Sequence, residues 1–412
     1  MMRLVPVLGV LICVGSAIPV MAEPRTLTVD DAIRLAQSNN PELQQVTADV
    51  SAARARLDGA SLLLQSNPTL TAEAGPRDDP SVKRGVEYSF QLLQQVEVAG
   101  QRGVRMDAAT AALDATDARL QALRVDLTAR VRESFGRVLA AQQWVELETE
   151  ALGVAQQGAD AVDQRFRAGA VPSLELNTAR GELGRATRDK ADAERRRAEA
   201  LAAIRLLVGL DPSEPIDAKG ELRQDDALPD GEDLVAEALA NRAVLEESRR
   251  DVASAEAEAE LAARAWIPSP RLGATYRYEG DTNTTIVLGV VQVDLPVFNR
   301  NQAARGATNA RVDQLKVAAA ATERRVKQEV LTALERVRAA RVAAKGYAGD
   351  VVKAMQQNID LVTETYRAGE IDFLELLVIR RQAIDTQREY IDVLEELNAA
   401  EAELGRAVGR AQ

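Results

Sequence analysis

Few side chains in this sequence can do chemistry. The chain has no His and a single Cys, Cys13. Ser-His-Asp and Cys-His catalysis and His-ligated metal sites are therefore excluded. No Walker-type phosphate loop and no metal-ligand cluster stands out, and no nucleophile is paired with a base. Neither an enzyme nor a cofactor is expected. What remains is charge: 63 Asp and Glu against 51 Lys and Arg, a formal net charge of −12. An acidic chain without a basic block is a poor ligand for phosphate backbones, so no nucleic-acid partner is expected. Two carboxylates recur in matching contexts. Glu175 follows Arg167-Ala168-Gly169-Ala170-Val171, and Glu375 follows Arg367-Ala368-Gly369-Glu370-Ile371.

These carboxylates belong to a repeat. Residues 164–176 and 364–376 align at an offset of 200, which also carries Val208-Gly209 onto Val408-Gly409. Upstream, Asn67-Pro68-Thr69-Leu70 matches Ser269-Pro270-Arg271-Leu272 at an offset of 202. The chain therefore reads as two copies of one unit, 23–209 and 231–409, joined by a linker at 210–230. Each copy is expected to begin with a short helix and a longer one that stops at proline. Two strands follow, at about 68–75 and 85–96 in the first copy and 270–279 and 284–297 in the second. A helical hairpin closes each copy, at about 100–209 and 300–409. Aromatic residues are only 3% of the chain. Ala, Leu, Glu and Arg dominate, as in long packed helices. Val312, Leu315, Ala319, Thr322, Val326, Val330, Ala333, Val337 and Ala340 form one 3/4-spaced stripe, a coiled-coil seam. A rod from Gln302 to Arg367 would be roughly 100 Å long at ~1.5 Å per residue, with Gly346 and Gly349 as points of interruption. Gly169 and Gly369 are expected to cap helices in the left-handed conformation and turn each hairpin.

Residues 1–22 read as a secretory signal peptide: Arg3, an apolar run Leu4–Ile18, Pro19 and small residues ending at Ala22. The mature chain is expected to start near Glu23. Ile12 is too bulky for a lipoprotein signal at Cys13, so no lipid anchor is expected. The strands alternate. Val86, Tyr88, Phe90 and Leu92 share one face, as do Leu272, Ala274, Tyr276 and Tyr278. Tyr88, Phe90, Tyr276 and Tyr278 concentrate rings in a ring-poor chain, as at membrane interfaces. Strands of about ten residues with one apolar face match transmembrane barrel strands. Four strands cannot close a barrel, for which ~8 is the practical minimum, so three subunits and twelve strands are expected. The fold class is mainly α with a small β part.

The order helix, two strands, long helical hairpin, given twice behind a signal peptide, resembles the TolC-like outer-membrane factors of Gram-negative bacteria. Val29-Asp30-Asp31-Ala32-Ile33 to Asn40-Pro41-Glu42-Leu43 is similar to the family's opening segment, and Arg367-Ala368-Gly369 with Leu374-Glu375-Leu376-Leu377 to its hairpin tip. Glu97, Gly100, Gln101-Arg102 and Asp294 to Asn301 resemble the strand-to-helix junctions of the CzcC-like heavy-metal branch. The resemblance implies a homotrimer with a barrel in outer-membrane lipid and a helical tunnel across the periplasm. It implies a periplasmic adaptor (membrane fusion) protein, docked on Ala168, Gly169, Ala170, Val171, Ala368, Gly369 and Ile371, and an inner-membrane resistance-nodulation-division pump that supplies the driving force. It places Glu175 and Glu375 at the periplasmic mouth, with Tyr366 and Arg367 as latch residues. Some relatives carry an acidic and a basic residue where this chain has Val378 and Ile371, so its gate network differs. Heavy-metal cations are the expected cargo. Drugs, organic toxins or a secreted polypeptide are the alternative, and a periplasmic coiled-coil scaffold is the second alternative.

Overall fold

The computed structural model describes residues 25–77, 85–222, 231–347 and 350–410. Residues 1–22 with Cys13, the residue Glu23, residues 223–230 and Gly349 lie outside the described residues. The chain runs β1 (Arg25–Leu27), α1 (Val29–Asn39), α2 (Pro41–Ala60), β2 (Thr69–Arg77), β3 (Gly85–Gln95), α3 (Gln101–Arg167), α4 (Ser173–Val208), β4 (Ile216–Ala218), α5 (Gly231–Asn241), α6 (Ala243–Arg264), β5 (Arg271–Glu279), β6 (Thr284–Gln292), α7 (Gln302–Tyr347), α8 (Asp350–Ala368) and α9 (Phe373–Val408). It is mostly helical, with a small sheet part.

Local signals start the helices where they do. Thr28 and Asp31 form a capping box on α1: the Asp31 N–H donates to Thr28 Oγ1 at 3.3 Å, and the Thr28 N–H to Asp31 Oδ2 at 3.1 Å. Asn40 caps α2, accepting from the N–H groups of Glu42 and Leu43 at 3.0 and 3.2 Å, with Pro41 at the first helical position. Its amide also donates to the Leu207 carbonyl at 2.9 Å, which satisfies the end of α4. In the second repeat Arg242 replaces Asn40 and donates to the Arg406 carbonyl, near the end of α9.

Three buried clusters hold the rods. One gathers α1 to α4 with Leu27, Ile216 and Ala218 of the short strands. The second joins α5, α6, α7 and α9 and contains Val326, Val330, Ala333, Val337 and Ala340 of the seam. The third lies at the hairpin ends and draws on both repeats, with Val162 and Leu176 beside Val362, Phe373 and Leu376. β1 and β4 pair in parallel, so part of the segment read as linker is a strand against the start of the described chain.

β2, β3, β5 and β6 form one antiparallel sheet in that order. Its central pair, β3 and β5, comes from different repeats. The register aligns Ala72, Phe90, Tyr276 and Val287 on one face and Thr71, Gln91, Thr275 and Leu288 on the other. β6 ends at Gln292 and not at 297. Arg271, the first residue of β5, pairs with Gln292 and follows Pro270, so residues beyond 292 have no partner strand, and Pro296 has no N–H to offer. α3 runs unbroken for 67 residues, and the rod of the second hairpin is described over α7 and α8. No helix among the described residues is long and apolar enough to cross a membrane.

Candidate functional site

The two hairpin tips repeat one geometry. Gly169 has φ 73° and Gly369 φ 78°. The Gly169 and Ala170 N–H groups donate to the carbonyls of Phe166 and Arg165, both at 2.9 Å. Gly369 and Glu370 donate likewise to Tyr366 and Thr365, at 3.0 and 3.1 Å. This is the left-handed C-cap that glycine suits. Ala168, Gly169, Ala170, Ala368 and Gly369 are exposed, so the tips present small side chains and bare backbone. Val171 is 8% exposed and supports the knob from beneath, and Ile371 is half-buried against the same cluster.

Tyr366 is held from the other repeat. Its hydroxyl accepts from Arg165 Nη1 at 2.8 Å, the Arg165 guanidinium lies 5.7 Å from its ring centroid, and its ring packs 6.0 Å from Phe373. Arg367 lies in the last turn of α8, and its side chain lies outside the described residues. Glu175 is half-buried and Glu375 exposed. Asp372 caps the α9 N-terminus by accepting from the Glu375 N–H at 2.8 Å. Among the described residues neither carboxylate has an ion-pair partner in its own subunit, and no hydrogen bond joins them to Tyr366.

Above the tips a guanidinium joins the repeats. Arg388 on α9 makes two hydrogen bonds to Glu148 on α3, both at 2.8 Å. It also reaches Asp189 on α4 at 3.1 Å and Asp385 at 3.2 Å. Hydrogen bonding to Glu148 holds the Arg388 proton more firmly than usual, with burial opposing it. Arg381 and Glu182 form a second cross-repeat pair. Arg165 and this clasp were not legible in the sequence, because their partners are about 200 residues or more away.

The aromatic residues of the sheet cluster on its apolar face. Tyr88 stacks on Tyr278 at 5.0 Å and lies 6.4 Å from Tyr276 and 6.0 Å from Phe90. Phe90 and Tyr276 are 46% and 38% exposed. The opposite face carries Thr71, Glu73, Glu87, Ser89, Gln91, Thr275 and Arg277, with Glu87 3.8 Å from Arg277.

Together these features define a tandem-repeat helical-hairpin protein with a four-stranded sheet at one end and two capped knobs at the other. The chain belongs to the outer membrane efflux protein family, whose model matches residues 32–210 and 234–410. It is 25% identical over 386 residues to the cobalt-zinc-cadmium resistance protein CzcC of Cupriavidus metallidurans, covering 93% of this chain and 90% of that one. Its fold matches the outer membrane channel CmeC of Campylobacter jejuni, with a TM-score of 0.80 at 18% identity over 92% of this chain and 85% of that one. It also matches the transmembrane channel protein CusC, with a TM-score of 0.74 at 20% identity over 92% of both chains. Family and fold are those of channel proteins, not enzymes.

Proposed function

We propose that this chain is the outer-membrane duct of a tripartite efflux system, a homotrimer that carries heavy-metal cations from the periplasm to the exterior. The observation that carries the reading is the sheet. β2 and β6 are open edges, and the face between them bears Phe90, Leu92, Tyr276 and Val287 exposed. Open edges are not tolerated in lipid, so β6 of one subunit pairs with β2 of the next and three sheets close a barrel of twelve strands. The rods form a tunnel beneath it. The exposed tips receive a periplasmic adaptor, and a resistance-nodulation-division pump in the inner membrane does the work. The name of the cobalt-zinc-cadmium relative supports metal as cargo. Native mass spectrometry of protein extracted from the outer membrane is expected to give three chains, each starting near Glu23. A stable monomer that still conducts ions overturns the reading.

Glu375 supplies the mouth with charge. It is exposed and, among the described residues, has no ion-pair partner in its own subunit, so three copies put three carboxylates around one opening, which favours cations. Glu375→Gln is expected to lower the cation selectivity of the open channel in planar bilayers and to leave adaptor docking intact. A carboxylate more than a Debye length from the pore, ~8 Å at physiological salt, is largely screened and gives no change. Unaltered selectivity removes Glu375 from the mouth.

A further inference from the structure

A trough of about 280 Å³ opens between α3, α4 and α9, just above the hairpin tips. Two of its walls come from the first repeat and one from the second. It exists because the first repeat turns small residues toward α9. Ala155 and Gly158 of α3 and Ala186 of α4 leave space that Leu377 and Ile384 of α9 do not fill. A Cβ at Gly158 meets nothing within 4 Å. Helix seams are ordinarily close-packed, and a gap of this size comes near the small-molecule sites, which start at ~300 Å³.

The trough has two unlike ends. Toward the tips its wall is Ala159, Ala179, Phe373 and Leu377, all packed in the tip cluster. At the other end stands Arg388, ~22 Å from Phe373 along α9 at ~1.5 Å per residue. A small volume spread over that length makes a slim channel, suited to a chain and not to a ring system. Among the described residues five arginines line it against four carboxylates, in a chain whose net charge is −12. Two of the carboxylates are shared. Glu182 answers both Arg185 and Arg381, and Asp189 answers both Arg188 and Arg388. Arg185 and Arg188 lie one turn apart on α4, with side chains 54% and 70% exposed. A guanidinium has five N–H donors, so one shared carboxylate leaves each of them spare donors for an anion.

We propose that the trough binds a linear aliphatic acid anion, with its chain laid along α9 toward Phe373 and its acid group on Arg185 and Arg188. The chain leaves water for the apolar end. The surplus of guanidiniums selects an acid over an alcohol or an amine, through charge-assisted hydrogen bonds. The occupant touches α3 and α4 on one side and α9 on the other. It therefore favours the helix arrangement that forms the trough and lowers flow through the tunnel. Binding rests on the cavity itself; the effect on flow rests on the duct reading above.

The probe is 1-octanesulfonate, added to the trimer in nonionic detergent. Native mass spectrometry is expected to show binding that saturates at one per subunit, with 1-octanol competing about tenfold more weakly. Gly158→Leu fills the trough and is expected to abolish binding while the trimer persists. Arg185→Gln with Arg188→Gln leaves Glu182 paired to Arg381 and Asp189 to Arg388. It is expected to weaken sulfonate binding about tenfold and leave 1-octanol unchanged. If the double variant keeps its sulfonate affinity, the acid-group assignment is overturned. If Gly158→Leu still binds, the probe sits elsewhere and the inference falls. If the wild-type trimer shows no saturable binding, a neighbouring subunit covers the trough and the inference falls, with the duct reading intact. In planar bilayers saturating 1-octanesulfonate is expected to lower wild-type conductance about twofold and leave Gly158→Leu unaffected. Binding without a change in conductance overturns the effect on flow, whereas a wild-type trimer that never conducts overturns the duct reading itself.

Discussion

Gly369→Val is expected to abolish efflux-dependent resistance while the trimer still assembles. The reason is backbone strain and not crowding. A Cβ at Gly369 meets nothing within 4 Å, yet φ is 78°. A β-branched residue there is a strong outlier, costing on the order of 1–3 kcal/mol. The turn is fixed by two short-range hydrogen bonds, from Gly369 to Tyr366 and from Glu370 to Thr365. That is too little to hold a strained residue, so the turn relaxes and the knob moves. Ile371 and Phe373 follow it out of the tip cluster. The sheet lies at the other end of the rods and keeps its register. Gly369→Asn is the control, since Asn enters the left-handed region at small cost. Resistance is measured by growth in the cargo metal, and assembly by native mass spectrometry. The expected pattern is loss with Val, retention with Asn and trimers in both. Full resistance with Val removes the tip from the docking surface.

The two tips were legible because their constraints are local. A glycine forced to positive φ and the apolar residues of the next turn recur at one offset, and the structure gives Gly169 and Gly369 φ values within a few degrees of each other. Strand faces were legible for the same reason, because alternation needs no partner to be read. Strand length was not. β6 stops at Gln292 because Arg271 is where β5 begins, a fact of register between distant segments. Glycine spacing alone also misleads. α3 stays continuous through Gly136, Gly153 and Gly158. A glycine costs a helix only about 1 kcal/mol, which tertiary packing along α4 and α9 outweighs in α3. Charge pairing was least legible of all. Glu148 and Arg388 are 240 residues apart, and nothing near either marks its partner.

That pair gives the largest expected effect on stability. Glu148 is 1% exposed and takes both hydrogen bonds of one face of the Arg388 guanidinium. Glu148→Ala leaves that cation among Ala151, Ala155 and Ile384 with only Asp189 and Asp385 to answer it. Removing one partner of a buried pair costs about 3–5 kcal/mol. Arg388 keeps two acidic neighbours and is 27% exposed, so the lower end, about 3 kcal/mol, is expected. Arg195 and Glu199 set the contrast, being an exposed pair four residues apart on α4. Water and salt screen pairs of that kind, so Arg195→Ala is expected to be nearly silent. Urea unfolding of the trimer measures both. The sharper measurement is the double replacement Glu148→Leu with Arg388→Met. Two apolar groups of similar size need no partner, so the double variant is expected to recover most of what Glu148→Ala loses. If Glu148→Ala unfolds within the range of Arg195→Ala, water already screens the pair and the clasp does not hold the two repeats together. If the double variant is as weak as Glu148→Ala, the loss comes from packing around Glu148 and not from a stranded charge.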